Sequence, residues 1–367
     1  MMIDRRILFV AGGTGGHLQP GFVLARALRR KHPHWKQKFL LSGRAIERRF
    51  VPDDTPASDL FPGLEGRPPF WRADRYCAAL LRARSVVHEF HPHLIVHLGG
   101  YVSAVAHLAA PHAPSVCLES NCRPGKSVRL LRRSALRVFF QWPPAPGSGF
   151  GRDQVRVTGM PTAFEQVPDP TVARIELGLR PELPTLLVVG GSQGSRALNQ
   201  MFLKGAAELA RSGVQILHIT GPADFPKVKQ VYLDLGLLAA VHPFLERMDL
   251  AYGAADLVVA RAGGMTVAEL TMAGKPAVLV PYPHHADLHQ EANALALVAR
   301  EAAWLVHEME AGDSFVTRDV MPRLFHRREL NRRGANALAL RRTGATEQII
   351  KEIELLFERE LESSRAA

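Results

Sequence analysis

Cysteine is scarce in this 367-residue chain: Cys77, Cys117 and Cys122 are the only three, and none makes a C-x-x-C pair. An odd count gives no closed disulfide framework, so a reducing, cytoplasmic setting is expected. Long apolar runs are missing as well. No stretch approaches the ~20 residues that a bilayer-spanning helix needs. Met1–Arg6 runs into a strand pattern without the apolar core and cleavage site of a secretory leader. The expectation is a chain that is soluble, or that lies on a membrane without crossing it.

Metal signatures are also absent. There is no H-E-x-x-H and no D-x-D. His285 and His289 stand at i, i+4 beside His284, but no third ligand has a convincing spacing. No metal and no cofactor are expected. No zinc finger, RRM, KH or helix-turn-helix signature supports a nucleic-acid partner. Acidic residues are sparse in the first half. Residues 1–160 carry 24 Lys and Arg against 10 Asp and Glu, the remainder 22 against 25, for a net charge of +11. That asymmetry predicts an anionic partner for the first half alone. On charge, nucleic acid, anionic lipid and a phosphorylated substrate all qualify.

What is present suffices for two buried cores. With 47% hydrophobic and 22% charged residues the chain is not disordered, and its length suits two domains. Short, continuously apolar runs recur between helical patterns. They fall at Ile7–Val10, Phe39–Leu41, Leu94–Leu98, Ser115–Leu118, Val138–Phe140 and Val155–Thr158 in the first half. In the second they fall at Thr185–Val189, Gln215–Thr220, Val241–Phe244, Leu257–Ala260, Ala277–Pro281 and Ala303–Val306. This is the pattern of buried parallel strands in an α/β fold. Thr158–Pro170, with three prolines, reads as the linker, and Gln141–Gly149 as a surface loop. Leu198, Met201, Phe202, Gly205 and Leu209 form one helical stripe. A last helix over about Ala345–Leu361 carries Ile349, Ile350, Ile353, Leu356 and Phe357 on one face. Pro20 is expected near the first turn of its helix.

Three glycine-rich loops stand where an apolar strand turns into a helix: Gly12-Gly13-Thr14-Gly15-Gly16-His17, Gly190-Gly191-Ser192-Gln193-Gly194-Ser195 and Arg261-Ala262-Gly263-Gly264-Met265-Thr266. Glycine permits positive φ and close backbone approach. The helix start behind each loop offers unpaired N–H groups and partial positive charge, which suits phosphate. The first loop is neither a dinucleotide fingerprint nor a P-loop: Leu18 follows His17, the acidic residue expected ~20 positions on is missing, and so is the P-loop lysine. His17, at the positive helix end, is expected to titrate below ~6.5 and so to be free to accept a proton. Taken alone, it fits a histidine that hydrogen-bonds its own loop slightly better. Glu269 closes a T-x-x-E box with Thr266 and could fold back on its helix end, or accept two ribose hydroxyls; spacing leaves these even. His88, His91, His93 and His97 read as structural or solvated. Phe70-Trp71-Arg72, Arg75, Tyr76, Leu80, Leu81, Arg82 and Arg84, with the basic stretch Arg123, Lys126, Arg129, Arg132, Arg133 and Arg137, fit an interfacial membrane contact or a solvated helix face.

These motifs resemble the MurG family of bacterial glycosyltransferases, which add N-acetylglucosamine to lipid I in peptidoglycan synthesis. The likeness rests on Gly12–Pro20, Gly99-Gly100-Tyr101-Val102-Ser103, Val189–Ser195, Ala262–Leu270, and His289-Gln290 followed by Asn293-Ala294. It runs from Ile7 to about Ala303. The resemblance implies an α/β fold of GT-B type, two doubly wound Rossmann-like domains facing across a cleft. An acceptor and membrane-docking domain would span 1–161 and a UDP-sugar domain 162–344, with the final helix 345–367 packing back on the first. It implies an inverting transfer from UDP-N-acetylglucosamine to the C4 hydroxyl of the muramyl sugar of lipid I. Gly191, Ser192 and Gln193 would face the diphosphate, Phe244 and Leu245 the uracil, Glu269 the ribose, and Gln290 and His289 the sugar. Thr14, Gly15, Gly16, Tyr101, Glu119 and Asn121 would serve the acceptor, and His17 would be the catalytic base. The family's arginine after its Gly-x-Pro turn is missing, since Thr162-Ala163-Phe164 follows Gly159-Met160-Pro161; Arg261 is the replacement considered. UDP-N-acetylglucosamine, lipid I and an anionic membrane surface are the implied partners, with the protein peripheral on the cytoplasmic face of the inner membrane. A GT-B diacylglycerol glycosyltransferase, a sugar-nucleotide epimerase and a non-catalytic UDP-sugar-binding adaptor are the alternatives.

Overall fold

A computed structural model describes the chain except residues 1–3, 13–14, 49–50, 52–54, 64–70, 285–286 and 367, and describes the backbone alone at 15–17, 45–46 and 360–366. The chain forms two compact units. One comprises Met1–Ser120, Pro124–Thr162 and Arg342–Ala367, the other Asn121–Arg123 and Ala163–Arg341.

The first unit is built on strands β1 (Arg6–Val10), β2 (Lys36–Leu41), β3 (Ala57–Asp59), β4 (Leu94–His97), β5 (Ser115–Glu119), β6 (Arg137–Phe140) and β7 (Val155–Arg156). They pair in the order β3-β2-β1-β4-β5-β6-β7, and every pairing is parallel. In the centre Phe9 stands opposite Phe39 on one side and Val96 on the other. Strands so placed are buried on both faces, which is why they read as unbroken apolar runs. Leu8, Val10, Leu40 and Ile95 pack on Ala79, Ala83 and Val86 of the helix Ala73–Phe90 and on Val102, Val105 and Ala106 of the helix Gly100–Ala109. Pro20 lies beyond the first turn of its helix, which starts at Gly15.

The final helix, Ala345–Ala366, belongs to this unit. Ile349, Ile350, Ile353 and Phe357 are buried, while Leu356 is only half-buried. The Arg5 guanidinium lies 4.5 Å from the Phe357 ring centroid, and its Nη2 donates to the Phe357 carbonyl at 3.1 Å. Glu352 accepts from Arg137 at 2.9 Å and Arg156 at 2.8 Å.

The second unit carries β8 (Thr185–Val189), β9 (Gln215–Ile219), β10 (Ala239–His242), β11 (Leu257–Ala260), β12 (Ala277–Leu279) and β13 (Ala303–Leu305). Their order is β10-β9-β8-β11-β12-β13, again all parallel. Leu186, Val188, Ile216, Val259 and Val278 form its core with Leu198, Phe202 and Phe315. The expected helical stripe from Leu198 to Leu209 is two helices, Arg196–Lys204 and Ala206–Arg211. Gly205 separates them, and a Cβ there would lie 2.5 Å from Val316 Cβ.

Each sheet reverses its winding once. Successive strands run outward from β1 in one direction and from β4 in the other, and likewise from β8 and from β11. At such a switch point the two crossovers depart to opposite sides and leave a crevice beyond the carboxyl ends of the strands. The glycine motifs sit at these positions. The first loop follows β1 and Gly99-Gly100 follows β4; the second loop follows β8 and the third follows β11. Among the described residues no helix is long and apolar enough to cross a membrane.

Candidate functional site: two switch-point crevices

In the second unit the loop after β8 is pinned from below. Gly194 adopts φ +75, and a Cβ on it would lie 2.0 Å from the Thr220 carbonyl oxygen. The loop therefore rests directly on the backbone that follows β9. The Gly194 N–H closes a turn onto the Gly191 carbonyl at 2.9 Å. Ser195 caps the helix Arg196–Lys204, its Oγ accepting from the Leu198 N–H at 3.4 Å. Gln193 is exposed, and Gly191 and Ser192 are half-buried. After β11, Gly263 is the residue before the helix Gly264–Ala273. Two helix starts thus flank one crevice, each with first-turn amides that lack intrahelical partners.

Arg261 ties the two loops together. Its Nε donates to Ser195 Oγ at 3.0 Å, and its Nη1 to the carbonyls of Val280 (3.0 Å) and Pro281 (3.1 Å). Its Nη2 pairs with Glu308 at 2.5 Å. The side chain is buried and committed to the protein beneath the loops. Asn293, fully buried, donates to the Ala262 carbonyl at 3.0 Å and to Asn121 Oδ1 at 2.9 Å, and accepts the Cys122 N–H at 2.8 Å. These bonds group Asn121 with the second unit, although its sequence position suggests the first. Gln290 Oε1 accepts the Tyr282 N–H at 3.0 Å, and His289 Nδ1 meets Asp287 at 2.6 Å. The chain enters their helix through Leu288 at φ +47, a conformation uncommon outside glycine. Phe244 and Leu245 are half-buried in the loop after β10, which ends two residues earlier than its apolar run.

Glu269 is 5% exposed, and its Oε2 accepts the Tyr252 hydroxyl proton at 3.0 Å. The T-x-x-E box does not form: the helix starts at Gly264 behind Gly263, so Thr266 lies inside it rather than at its cap.

In the first unit the loop after β1 approaches the start of the helix Gly100–Ala109. Gly100 has φ +73, and a Cβ on it would stand 2.5 Å from the Gly12 carbonyl oxygen. Gly13 and Thr14 lie outside the described residues, and Gly15, Gly16 and His17 are described by their backbone alone. Tyr101 is half-buried on that helix, against Phe61 with ring centroids 5.7 Å apart, and burial raises its pKa. Glu119, 4% exposed at the end of β5, accepts the Gly125 N–H at 2.7 Å. It thereby holds the start of the helix Lys126–Leu131. On the outer surface Trp71 is 70% and Leu81 64% exposed. Phe70 lies outside the described residues.

Residues 7–140 match the glycosyltransferase family 28 N-terminal domain, and residues 185–353 match the family 28 C-terminal domain. The chain belongs to glycosyltransferase family 28. Relatives named UDP-N-acetylglucosamine--N-acetylmuramyl-(pentapeptide) pyrophosphoryl-undecaprenol N-acetylglucosamine transferase include one from Saccharopolyspora erythraea. It is 37% identical over 327 residues, covering 86% of this chain and 85% of that one. Another, from Frankia casuarinae, is 35% identical over 340 residues, covering 90% of each. The crystal structure of Acinetobacter baumannii MurG superposes with a TM-score of 0.72 at 26% identity, covering 96% of this chain and 99% of that one. The fold is accordingly of GT-B type, two parallel-sheet α/β domains, and the chain is a hexosyltransferase of family 28.

The second unit also holds residues that sequence reasoning passed over. His218 is fully buried, between the Tyr232 hydroxyl (2.9 Å, on Nδ1) and Asn199 Oδ1 (3.0 Å, on Nε2). Asn199 Nδ2 donates to the Thr220 carbonyl (2.9 Å) and Asp224 (2.7 Å). Two acceptors fix the amide, so its oxygen faces the imidazole and Nε2 must carry the proton. Burial pushes the His218 pKa down to about 3, which keeps the ring neutral. The chain of bonds ends under Gly194. Only an unusual histidine within β9 hinted at it.

Proposed function

We propose that this family 28 enzyme transfers N-acetylglucosamine from UDP-N-acetylglucosamine to the C4 hydroxyl of the muramyl sugar of undecaprenyl-pyrophosphoryl-MurNAc-pentapeptide, with inversion at the anomeric carbon. One observation carries the reading: in the second unit two pinned glycine loops, each opening a helix, border a single switch point, and helix starts so arranged bind phosphate. The amides of Gly191, Ser192 and Gln193 would hold the diphosphate. Phe244 and Leu245 would meet the uracil, Glu269 the ribose diol, and Gln290 and His289 the sugar hydroxyls. Arg261 would act from beneath, keeping Ser195 and both loops in place. The departing UDP gains negative charge, and preorganised amides stabilise such charge without reorganising. Among the described residues no group of three or more His, Cys, Asp or Glu could hold a metal ion.

The first unit would receive the acceptor. Its diphosphate would lie on the loop with Thr14, Gly15 and Gly16, beside Tyr101, with Glu119 on the acceptor side. His17 would take the proton from the attacking hydroxyl. Exposed Trp71 and Leu81 with Arg75 and Arg84, and Leu130 with Lys126, Arg129 and Arg133, suit a peripheral contact with anionic lipid on the cytoplasmic face of the inner membrane. Each cation near such a surface contributes about 1 kcal/mol.

Labelled UDP-N-acetylglucosamine offered with a lipid I analogue or with diacylglycerol, in EDTA, tests the proposal. Transfer to the first alone is expected. Transfer to diacylglycerol, or binding with no transfer, would overturn it.

A further inference from the structure

The loop after β8 rests on backbone that must itself be held in place. A Cβ on Gly194 would collide with the Thr220 carbonyl, and one on Gly221 with the Gln193 carbonyl. Backbone thus meets backbone in both directions, and a shift of one loop moves the other. The Thr220 carbonyl accepts from Asn199 Nδ2 at 2.9 Å, and the second Nδ2 proton goes to Asp224 at 2.7 Å. The Asn199 amide can serve here in one orientation only. Turned over, it would present its oxygen to a carbonyl and a carboxylate, which accept and do not donate. Asn199 is 1% exposed, so bulk water cannot compensate for the loss. The orientation is chosen by His218, whose Nε2 lies 3.0 Å from Asn199 Oδ1. On the other side of the ring the Tyr232 hydroxyl meets Nδ1 at 2.9 Å, and burial keeps that hydroxyl protonated. The bonds therefore run one way, from Tyr232 through His218 and Asn199 to Thr220 and Asp224.

We propose that His218 is a positioning residue for the donor diphosphate, its Nε2–H fixing the Asn199 amide that holds the floor of the glycine loop. The inference rests on the reading that the amides of Gly191, Ser192 and Gln193 take the diphosphate. It adds the group that sets where those amides stand. His218 is fully buried and acts through Asn199 and Thr220. Without the Nε2 donor, Asn199 Oδ1 is left buried and unpaired, and the amide has no reason to keep its protons on Thr220 and Asp224.

The test is calorimetric titration of the full chain with UDP and UMP, whose affinity ratio reports the grip on the second phosphate. The wild type is expected to favour UDP by about 10- to 100-fold, the worth of one charge-assisted hydrogen bond. His218→Gln keeps an N–H near the Nε2 position and is expected to keep that preference. His218→Asn can still face Tyr232 but is too short to reach Asn199; it is expected to bring the preference within about threefold, chiefly by weakening UDP. Tyr232→Phe removes a buried hydrogen bond while leaving the Nε2 donor, and is expected to hold the preference. Equal ratios in the Gln and Asn variants, or loss in Tyr232→Phe as large as in His218→Asn, would mean a merely structural His218; either result overturns the inference while sparing the loop. A wild type that binds UMP as tightly as UDP overturns the reading of the loop as well. Thermal unfolding of each variant identifies any that has lost its fold. Should His218→Asn be such a variant, His218→Leu takes its place under the same criterion. Nitrogen NMR of the wild type, which needs no variant, must find the His218 proton on Nε2; a proton on Nδ1 sinks the inference.

Discussion

Replacing Gly194 by alanine is expected to damage the donor site far more than the same change at Gly191, although both residues have positive φ. Gly191 lies at φ +91 with nothing within 4 Å of a built Cβ, whereas Gly194 at φ +75 faces the Thr220 carbonyl oxygen at 2.0 Å, its carbon at 2.7 Å and Gly221 Cα at 2.8 Å. All three neighbours are backbone, so no side chain can rotate away. Real Cβ atoms essentially never approach closer than 3.0 Å, and the loop must therefore move by about 1 Å. Left-handed backbone costs an alanine roughly 1–2 kcal/mol. Forced overpacking adds a further ~1–3 kcal/mol. Gly191→Ala should thus cost about 1–2 kcal/mol of unfolding free energy and Gly194→Ala about 3. Misplacement by about 1 Å lowers catalysis on the order of a hundredfold. The kcat/KM for UDP-N-acetylglucosamine should fall by about that much in Gly194→Ala, and by less than about tenfold in Gly191→Ala. Calorimetric unfolding and initial rates measure both quantities. A folded Gly194→Ala with wild-type kcat/KM would refute the claim that this loop carries the donor.

Other outcomes follow from the same geometry. His17→Ala should lower kcat by about 10²–10⁴-fold with little change in UDP affinity, as rate and titration measurements together would reveal. Serine at both Trp71 and Leu81, 70% and 64% exposed, should weaken sedimentation with anionic vesicles without altering turnover on a water-soluble acceptor; unchanged sedimentation would remove this face from membrane contact. Burial lowers the Lys275 pKa to about 8, where its Nζ donates to the carbonyls of Gly253 and Ala255. An unfolded lysine titrates near ~10.4, so between these values the unfolded chain holds the extra proton and stability rises with pH. That contribution is complete above ~10.4 and lost below 8. Lys275→Met should therefore gain relative stability at pH 7, and the advantage should shrink by up to about 3 kcal/mol as pH approaches 10. A pH-independent difference in unfolding free energy would contradict the assignment.

Much of the fold was legible because its physical causes are local. Buried parallel strands such as Thr185–Val189 must be apolar on both faces, and their turns into helices need glycine where backbone meets backbone. β3 was missed: Ala57-Ser58-Asp59 is a three-residue edge strand without a branched or aromatic side chain. The helix break at Gly205 was also invisible, and so was the reason for glycine there, since a Cβ would meet Val316, far along the chain. At the site, the glycine loops were readable, but their supports were not. Tyr252 and Glu269, or His218 and Asn199, are brought together by packing between elements, and no spacing rule connects them. Glu269 shows the limit in the other direction: its T-x-x-E spacing is a sound helix-start pattern, defeated because Gly263-Gly264 starts the helix earlier. Arg261, considered from the sequence as a replacement for the family's missing arginine, has its guanidinium engaged by Ser195, Val280, Pro281 and Glu308, partners that no spacing rule connects to it.

The most direct test of the account is an amide-resolved NMR titration of the full chain with UDP in the presence of EDTA. The prediction is saturable shifts of the N–H signals of Gly191–Ser195 and Gly264–Thr266, with no need for a divalent ion. Binding that leaves those signals unmoved, or that appears only when a metal is supplied, would contradict it.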